Sequence, residues 1–207
     1  MLNLTPSLLA NVVFGVLCVL LLCACWIDAR NHRIPNWLVL AGAVLGVLLN
    51  TILPDGFGFI SFLPGAVGFW KSMAGLALGL AIPMPLYVVR AMGAGDVKLM
   101  AMVGAFLGPT AIVGVVLMTF VVGGLLSLMV VLRNGTMKRL FDNLHTMLLA
   151  GFIKTTVTKE LPTIEPASVS AGKMPYALAI SGGTFIYFAL AGNELLAPLY
   201  NLALLFK

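Results

Sequence analysis

The chain has 207 residues, of which 61% are hydrophobic and 9% are charged, with 12 basic and 7 acidic side chains and a net charge of +5. A soluble domain carries roughly 25% charged residues, so this chain has too few to form a polar coat. The mean hydropathy of +1.09 excludes a soluble protein and indicates an integral membrane protein. We expect one membrane-embedded domain over 1–207, in which each polar side chain is costly and tends to be kept for pairing or function.

Apolar runs predict most of the membrane-spanning helices, because a helix needs about 20 apolar residues to cross a bilayer. The runs are 8–27, 37–53, 72–89, 109–132 and 174–192. The first is not expected to be a signal peptide, since no basic region precedes it and Asp28 and Arg30 follow it where small residues would mark cleavage. Pro83 and Pro85 predict a kink or unwinding near the end of the third span.

The segment 97–108 is short for a full crossing, so its treatment decides the topology. A tight hairpin broken at Gly108 and Pro109 places ten of the 12 basic residues on one side of the membrane. Fusing this segment with the next span would move the loop 133–173, with six basic residues, to the far side, against the positive-inside rule. We therefore predict an all-α polytopic bundle of about six transmembrane helices with the N-terminus outside.

Two further segments complete the predicted organisation. Within 133–173, apolar residues recur at helical spacing over 137–152 and predict an amphipathic helix on the cytoplasmic surface of the bilayer. The simplest explanation of this helix is a connector that touches lipid headgroups, and residues 160–171, with two prolines, are typical of a linker. The segment 194–206 is interrupted by Pro198 and is short for a seventh span.

Glycine pairs indicate close helix packing, because small residues spaced by four let helix backbones approach in a membrane. Three sequential helices carry such pairs. They are Gly42 and Gly46, Gly75 and Gly79, and Gly104 and Gly108.

No cofactor or metal site is expected. The three cysteines lie in the first apolar run without a CxxC pair, so we expect small buried hydrophobic side chains rather than zinc ligands. They are Cys18, Cys23 and Cys25. The only histidines, His32 and His145, are far apart, and the stretch from Gly93 to Gly95 lacks the third glycine and the preceding strand of a dinucleotide-binding loop.

Two of the seven acidic residues, Asp28 and Asp96, are not easily explained as loop or surface groups. Asp28 follows the first span, Asp96 opens the fourth predicted helix, and the topology places both at one depth on the cytoplasmic side. Taken alone, Asp28 could be a solvated helix flank and Asp96 a helix N-cap. Two carboxylates that converge in a poorly hydrated site would share a proton, and would supply the base and the acid needed to hydrolyse a peptide bond.

The residues around Asp96 extend this hypothesis. Gly93 and Gly95 would let a substrate backbone approach the carboxylate and would allow positive φ in the loop, although simple flexibility between helices also explains them. Lys98 lies on a different helix face from Asp96, and we expect it to bind backbone carbonyls, an acidic group on a substrate or lipid phosphate.

Two stretches resemble the paired motifs of the type IV prepilin peptidases, intramembrane aspartic proteases with six helices and a GxGD signature. The first joins Asp28 to Ile34, Pro35 and Asn36, and the second runs from Gly93 to Lys98. The spacing in the first is similar to that of the short members that serve Flp-type (Tad) pili. The resemblance is specific over about 15–110 and 172–182.

The resemblance implies that Asp28 and Asp96 are the catalytic pair, with no cofactor or metal. The supporting positions it implies are Gly93, Gly95, Lys98, Pro35 and Asn36. The substrates would be prepilins or pseudopilins, cut after a short basic leader at the cytoplasmic face of the bacterial inner membrane. Longer members carry a zinc-binding region associated with N-methylation between their first helices. Only nine positions separate Asp28 from Trp37, so we predict peptidase activity without methyltransferase activity.

Two hypotheses from other functional classes remain open. The protein could be a small transporter in which Asp28 and Asp96 bind a cation, although both lie near one interface and no inverted repeat is visible. It could also be a noncatalytic scaffold of a pilus or secretion machine. We expect the lipid bilayer and a pilin precursor as partners and no nucleic acid, and the sequence predicts neither the particular pilin nor an oligomeric state.

Overall fold

The computed structural model describes residues 6–31, 33–53, 67–88, 92–133 and 176–191, and all of its regular structure there is helical. In chain order the helices are α1 (Pro6–Asn31), α2 (Asn36–Ile52), α3 (Phe69–Ala81), α4 (Met84–Val88), α5 (Ala94–Arg133) and α6 (Tyr176–Ala191). The predicted amphipathic helix, the linker after it and the segment 194–206 lie outside the described residues.

The helices have the length and composition of a membrane protein, which confirms the predicted class. Within the described residues, three stretches are long and apolar enough to span a bilayer, namely Val12–Asn31, Phe69–Val88 and Ala94–Arg133. The helices α2 and α6 are apolar but shorter. The number of six spans and the outside position of the N-terminus stay predictions.

The long helix α5 consists of two arms that meet at Gly108. This residue has φ 78° and ψ 179°, a conformation that glycine adopts without strain, and Pro109 after it has no N–H to continue the helix. The chain folds back at this point. The evidence is a short distance across the break, since a methyl group on Gly104 would lie 3.3 Å from Ile112 Cγ1. In a straight helix eight residues span about 12 Å. The predicted break is therefore present, and we call 94–107 the first arm and 109–133 the second arm.

A buried polar cluster satisfies the end of the first arm, where the break leaves carbonyl groups without helical partners. The Nδ2 atom of Asn50 donates to the carbonyl oxygens of Ala105 and Phe106 at 2.8 and 3.1 Å. The hydroxyl of Ser72 donates to Ala105 at 2.6 Å, and Asn50 Oδ1 accepts from the backbone N–H of Val67 at 3.2 Å. We call these five residues the Asn50 cluster, and its two side chains are fully buried.

The first arm is the centre of the bundle, and every residue from 99 to 107 is buried. The predicted glycine faces pack against it. A methyl group on Gly75 would overlap the carbonyl oxygen of Gly104, and one on Gly46 would lie 2.8 Å from the ring of Phe106. The helices α2 and α3 therefore pack closely against the first arm. This packing fixes the position of the first turn of α5.

The predicted kink near Pro83 is also present. The helix α3 ends at Ala81 and α4 begins at Met84, with a turn at Ile82 and Pro83 between them. Because proline has no N–H, the helical ladder cannot continue unbroken through this point. The chain then reaches Met92 and Gly93, directly before the first arm begins.

Candidate active site

Asp28 lies on the last turns of α1 and faces the start of α6. Its side chain is only 6% exposed, so it is not the solvated helix flank considered as an alternative. The Oδ2 atom accepts a hydrogen bond of 3.2 Å from the backbone N–H of Ala177, the second residue of α6. The N–H groups of a helix's first turn have no partner within the helix, and that end carries partial positive charge. Asp28 therefore caps α6 and is stabilised by it.

Asp96 lies in the first turn of α5, where it is half-buried. Its Oδ2 accepts a 3.2 Å hydrogen bond from the backbone N–H of Gly93, and the N–H groups of Asp96 and Val97 donate to the Gly93 carbonyl at 3.1 and 3.3 Å. This is the acidic half of a capping box, in which the third helical residue reaches back to the N-cap. The N-cap position itself is held by Gly93 and not by Asp96, which corrects the alternative considered for Asp96.

The two carboxyl groups lie within electrostatic range of each other. Each accepts one backbone hydrogen bond through Oδ2, and within the described part of the chain no protein donor bonds to either Oδ1. Both groups lie at helix N-termini, Asp96 in α5 and Asp28 against α6, where partial positive charge favours an anion. The arrangement leaves one oxygen of each carboxyl group for a water molecule or a substrate.

The two sequence motifs meet beside this pair. Lys98 Nζ donates a 2.9 Å hydrogen bond to Oδ1 of Asn36, which joins the first arm to the start of α2. Pro35 is the N-cap of α2, and its carbonyl oxygen accepts from the N–H of Leu38 at 3.2 Å. The partner of Lys98 is thus a side-chain amide, and not one of the three partners expected from the sequence.

The glycines of the second motif act through close packing. Among the described glycines only Gly68 and Gly108 have positive φ, so the expectation of positive φ at Gly93 and Gly95 is wrong. A methyl group on Gly95 would lie 3.3 Å from Cβ of Ile34, and one on Gly93 would lie 3.0 Å from the Asp96 carboxylate. The absent side chains therefore let the first motif and the Asp96 carboxylate approach the loop.

Cys25 belongs to the site, although the sequence suggested only a buried hydrophobic residue. Its Sγ lies 3.2 Å from the carbonyl oxygen of Ala177 and 3.0 Å from the hydroxyl oxygen of Ser181. Cys25 and Cys18 are half-buried and Cys23 is exposed, so the expectation of three buried cysteines is wrong. The spacing of three residues between Cys25 and Asp28 places both on one face of α1, and this pattern could have pointed to Cys25.

Aromatic and basic side chains lie near Asp28, at the end of α1 and the start of α2. Trp26, one helical turn from Arg30, is 62% exposed, and the Arg30 guanidinium lies 4.5 Å from the centre of its ring. Trp37, at the start of α2, is 68% exposed. Tryptophan is enriched where a bilayer meets water, so this end of the bundle has the side chains expected at an interface. In the described part of the chain, no three His, Cys, Asp or Glu side chains form a candidate metal site.

The fold and the site define a helical membrane protein in which two aspartates within electrostatic range of each other each accept a hydrogen bond at a helix N-terminus. Residues 15–128, more than half of the chain, match the model of the type IV leader peptidase family, and the protein belongs to this family. This confirms the family that the motifs predicted. The matched range contains both aspartates, whereas α6 lies beyond it. No curated protein and no solved structure gave a match.

Proposed function

We propose that this protein is a prepilin leader peptidase that removes the short basic leader of Flp-type prepilins or pseudopilins at the cytoplasmic face of the bacterial inner membrane. Membership of the type IV leader peptidase family supports a protease of this kind. The observation that carries the finer proposal is the aspartate pair, in which Asp28 and Asp96 each keep one oxygen without a protein donor among the described residues.

In the proposed mechanism the pair shares one proton and holds a water molecule between the two free oxygens. The ionised carboxylate takes a proton from this water as it attacks the carbonyl carbon of the scissile peptide bond. The protonated carboxyl group then donates its proton to the departing nitrogen, and the C–N bond breaks. The helix N-termini beside the pair stabilise negative charge throughout these steps.

The peptide would reach the pair along the side of the first turn of α5. Gly93 is exposed and has no side chain, so an extended substrate backbone can pass close to Asp96 there. The exposed Trp26 and Trp37 mark the depth at which a leader emerging from the bilayer would enter. This depth accords with cleavage at the cytoplasmic face.

The short connection between α1 and α2 supports the absence of methyltransferase activity. The helix α1 ends at Asn31 and α2 begins at Asn36, so only residues 32–35 join them. No zinc-binding region of the kind found in the longer members can be accommodated there. We therefore propose that the mature pilin keeps an unmethylated N-terminus.

A cation transporter is less well supported. The protein groups bonded to the two carboxylates are backbone N–H groups, which carry partial positive charge and favour anions. A cation site would instead surround the ion with oxygen ligands. A noncatalytic scaffold is distinguished from a peptidase by the cleavage experiment below.

The test replaces each aspartate separately, as Asp28→Asn and Asp96→Asn, in cells that also express a Flp-type prepilin. An asparagine keeps an oxygen that can accept the bond from Ala177 or Gly93, so the fold should survive while proton transfer is lost. Leader removal, followed as a size change of the pilin, should fall at least about 10³-fold in each variant. Asp55→Asn, an aspartate outside both motifs, is the matched control and should cleave normally.

Normal cleavage in either the Asp28→Asn or the Asp96→Asn membranes would overturn the assignment of the pair. A scaffold role predicts that pilus assembly from an already matured pilin is lost in the absence of the protein and restored by the double asparagine variant.

A further inference from the structure

Three polar contacts join α1 to the start of α6 beside the aspartate pair. On α1, Cys25 and Asp28 are one turn apart, and on α6, Ala177 and Ser181 are one turn apart. Cys25 Sγ contacts the Ala177 carbonyl oxygen at 3.2 Å and the Ser181 hydroxyl at 3.0 Å. The N–H of the same Ala177 donates to Asp28 at 3.2 Å. Both backbone polar groups of Ala177 are therefore held by α1.

The chemistry of the thiol fixes the direction of these bonds. Cys25 has a single S–H proton, and a carbonyl oxygen can only accept, so the thiol donates to Ala177. The Ser181 hydroxyl must then donate to the sulfur. This chain of donors requires a neutral thiol, which is the ordinary state of a cysteine in apolar surroundings.

The remaining described contacts of α6 do not fix its first turn against α1. Further along α6, a methyl group on Gly183 would lie 2.5 Å from the backbone nitrogen of Thr119, so this part packs on the second arm. The ring of Phe14 meets that of Phe188 at 4.9 Å, which joins α1 and α6 more than two turns beyond Ala177. Among the described residues, the hydrogen bonds between α1 and the start of α6 are those of Cys25 and Asp28, and they hold both backbone polar groups of Ala177.

We propose that Cys25, supported by Ser181, is a positioning residue that holds Ala177 so that its N–H orients the carboxylate of Asp28. This inference rests on the proposed function, because it treats Asp28 as one of the two catalytic groups. Without the thiol, the start of α6 can shift and the Asp28 carboxylate loses its fixed rotamer. A displacement of about 1 Å in a catalytic group can slow a reaction about 10²-fold.

The chain offers its own controls, since three cysteines lie on one helix. Cys25→Ala removes the donor, Cys25→Ser keeps a donor of similar size, and Cys23→Ala changes an exposed cysteine two residues away. Each purified variant is assayed in lipid nanodiscs with a Flp-type prepilin, and kcat and KM are determined per folded enzyme. We expect Cys25→Ala to lower kcat about 10- to 100-fold with KM unchanged, Cys25→Ser to recover most of the loss, and Cys23→Ala to match the unaltered enzyme.

Asp28→Asn is measured in parallel so that the two proposals can fail separately. Cleavage by Asp28→Asn would overturn the proposed function and with it this inference. If Asp28→Asn is inactive and Cys25→Ala cleaves as fast as Cys23→Ala, the positioning role alone is overturned. A Cys25→Ser enzyme as slow as Cys25→Ala would also overturn it, because the hydroxyl preserves the hydrogen-bond donor.

Discussion

Polar clusters lie at both ends of the first arm, and the two clusters differ in how many of their polar atoms have protein partners. In the Asn50 cluster, both amide protons of Asn50 and its oxygen have backbone partners. At the aspartate pair, each carboxyl group uses Oδ2 and leaves Oδ1 without a protein donor among the described residues. A buried polar group left unsatisfied costs about 1–3 kcal/mol, so the complete hydrogen bonding of the Asn50 cluster stabilises the fold. The aspartate pair instead retains carboxyl oxygens that can bind water or substrate.

This difference separates structural from functional polar residues in a chain that has few of either. Asn50 and Ser72 donate hydrogen bonds to carbonyl groups that the break at Gly108 leaves without helical partners, so their role is structural. Asp28 and Asp96 also cap helices, yet neither cap uses the whole carboxyl group. Changes near the Asn50 cluster should therefore reduce stability, and changes at the aspartate pair should reduce cleavage.

The largest stability effect is expected for Gly75→Ala, close to the Asn50 cluster. A methyl group there would overlap the Gly104 carbonyl and approach the backbone of Gly108 at 2.7 Å, so α3 and the first arm must separate. Overpacking of this kind costs about 3 kcal/mol. Gly124→Ala is the matched control, because among the described residues no atom from outside its own helix lies within 4 Å of the added methyl group. Unfolding in detergent followed by circular dichroism measures both, and equal stability of the two variants would contradict the packing described here.

A smaller loss of stability is expected for Asn50→Ala. The change leaves the carbonyl groups of Ala105 and Phe106 and the N–H of Val67 without their side-chain partner, which should cost about 2 kcal/mol. The neighbouring Thr51 is exposed, and the hydrogen bond described for its hydroxyl goes to the Val47 carbonyl within the same helix, so Thr51→Ala is the control. Cleavage per folded Asn50→Ala enzyme should be unchanged. A fall in kcat without a fall in stability would contradict this prediction, because it would give the Asn50 cluster a role in catalysis and not in stability.

Local sequence patterns predicted the elements whose boundaries depend on local chemistry. The run 37–53 corresponds to α2 at Asn36–Ile52, and the break at Gly108 follows from a glycine and a proline in succession. The end of the first helix was less well predicted, because α1 runs past Asp28 to Asn31. An aspartate is expected to end an apolar helix, but here the N-terminus of α6 offers it a buried partner.

The contacts that complete the site could not be predicted from local patterns. Lys98 and Asn36 are 62 residues apart, and Cys25 and Ala177 are 152 residues apart. Hydrophobic periodicity predicts which face of a helix is buried, but not the register at which two distant helices meet. The aspartates can be identified from the sequence because charged residues are rare in membrane helices. Cysteine is common in apolar surroundings, so Cys25 does not stand out from its neighbours.

The smallest effect is expected at the hydrogen bond between Lys98 and Asn36. Both side chains are exposed, so solvent competes with the bond and its contribution should be below about 1 kcal/mol. A double-mutant cycle with Lys98→Met and Asn36→Ala measures the coupling, and Arg33→Met, which removes another exposed positive charge, controls for charge alone. Because the bond joins two elements near the aspartate pair, we expect cleavage to slow by about 2- to 5-fold, within that bound of about 1 kcal/mol, with little change in unfolding. A stability loss in either variant as large as that of Asn50→Ala would contradict the proposed difference between a structural end and a functional end of the first arm.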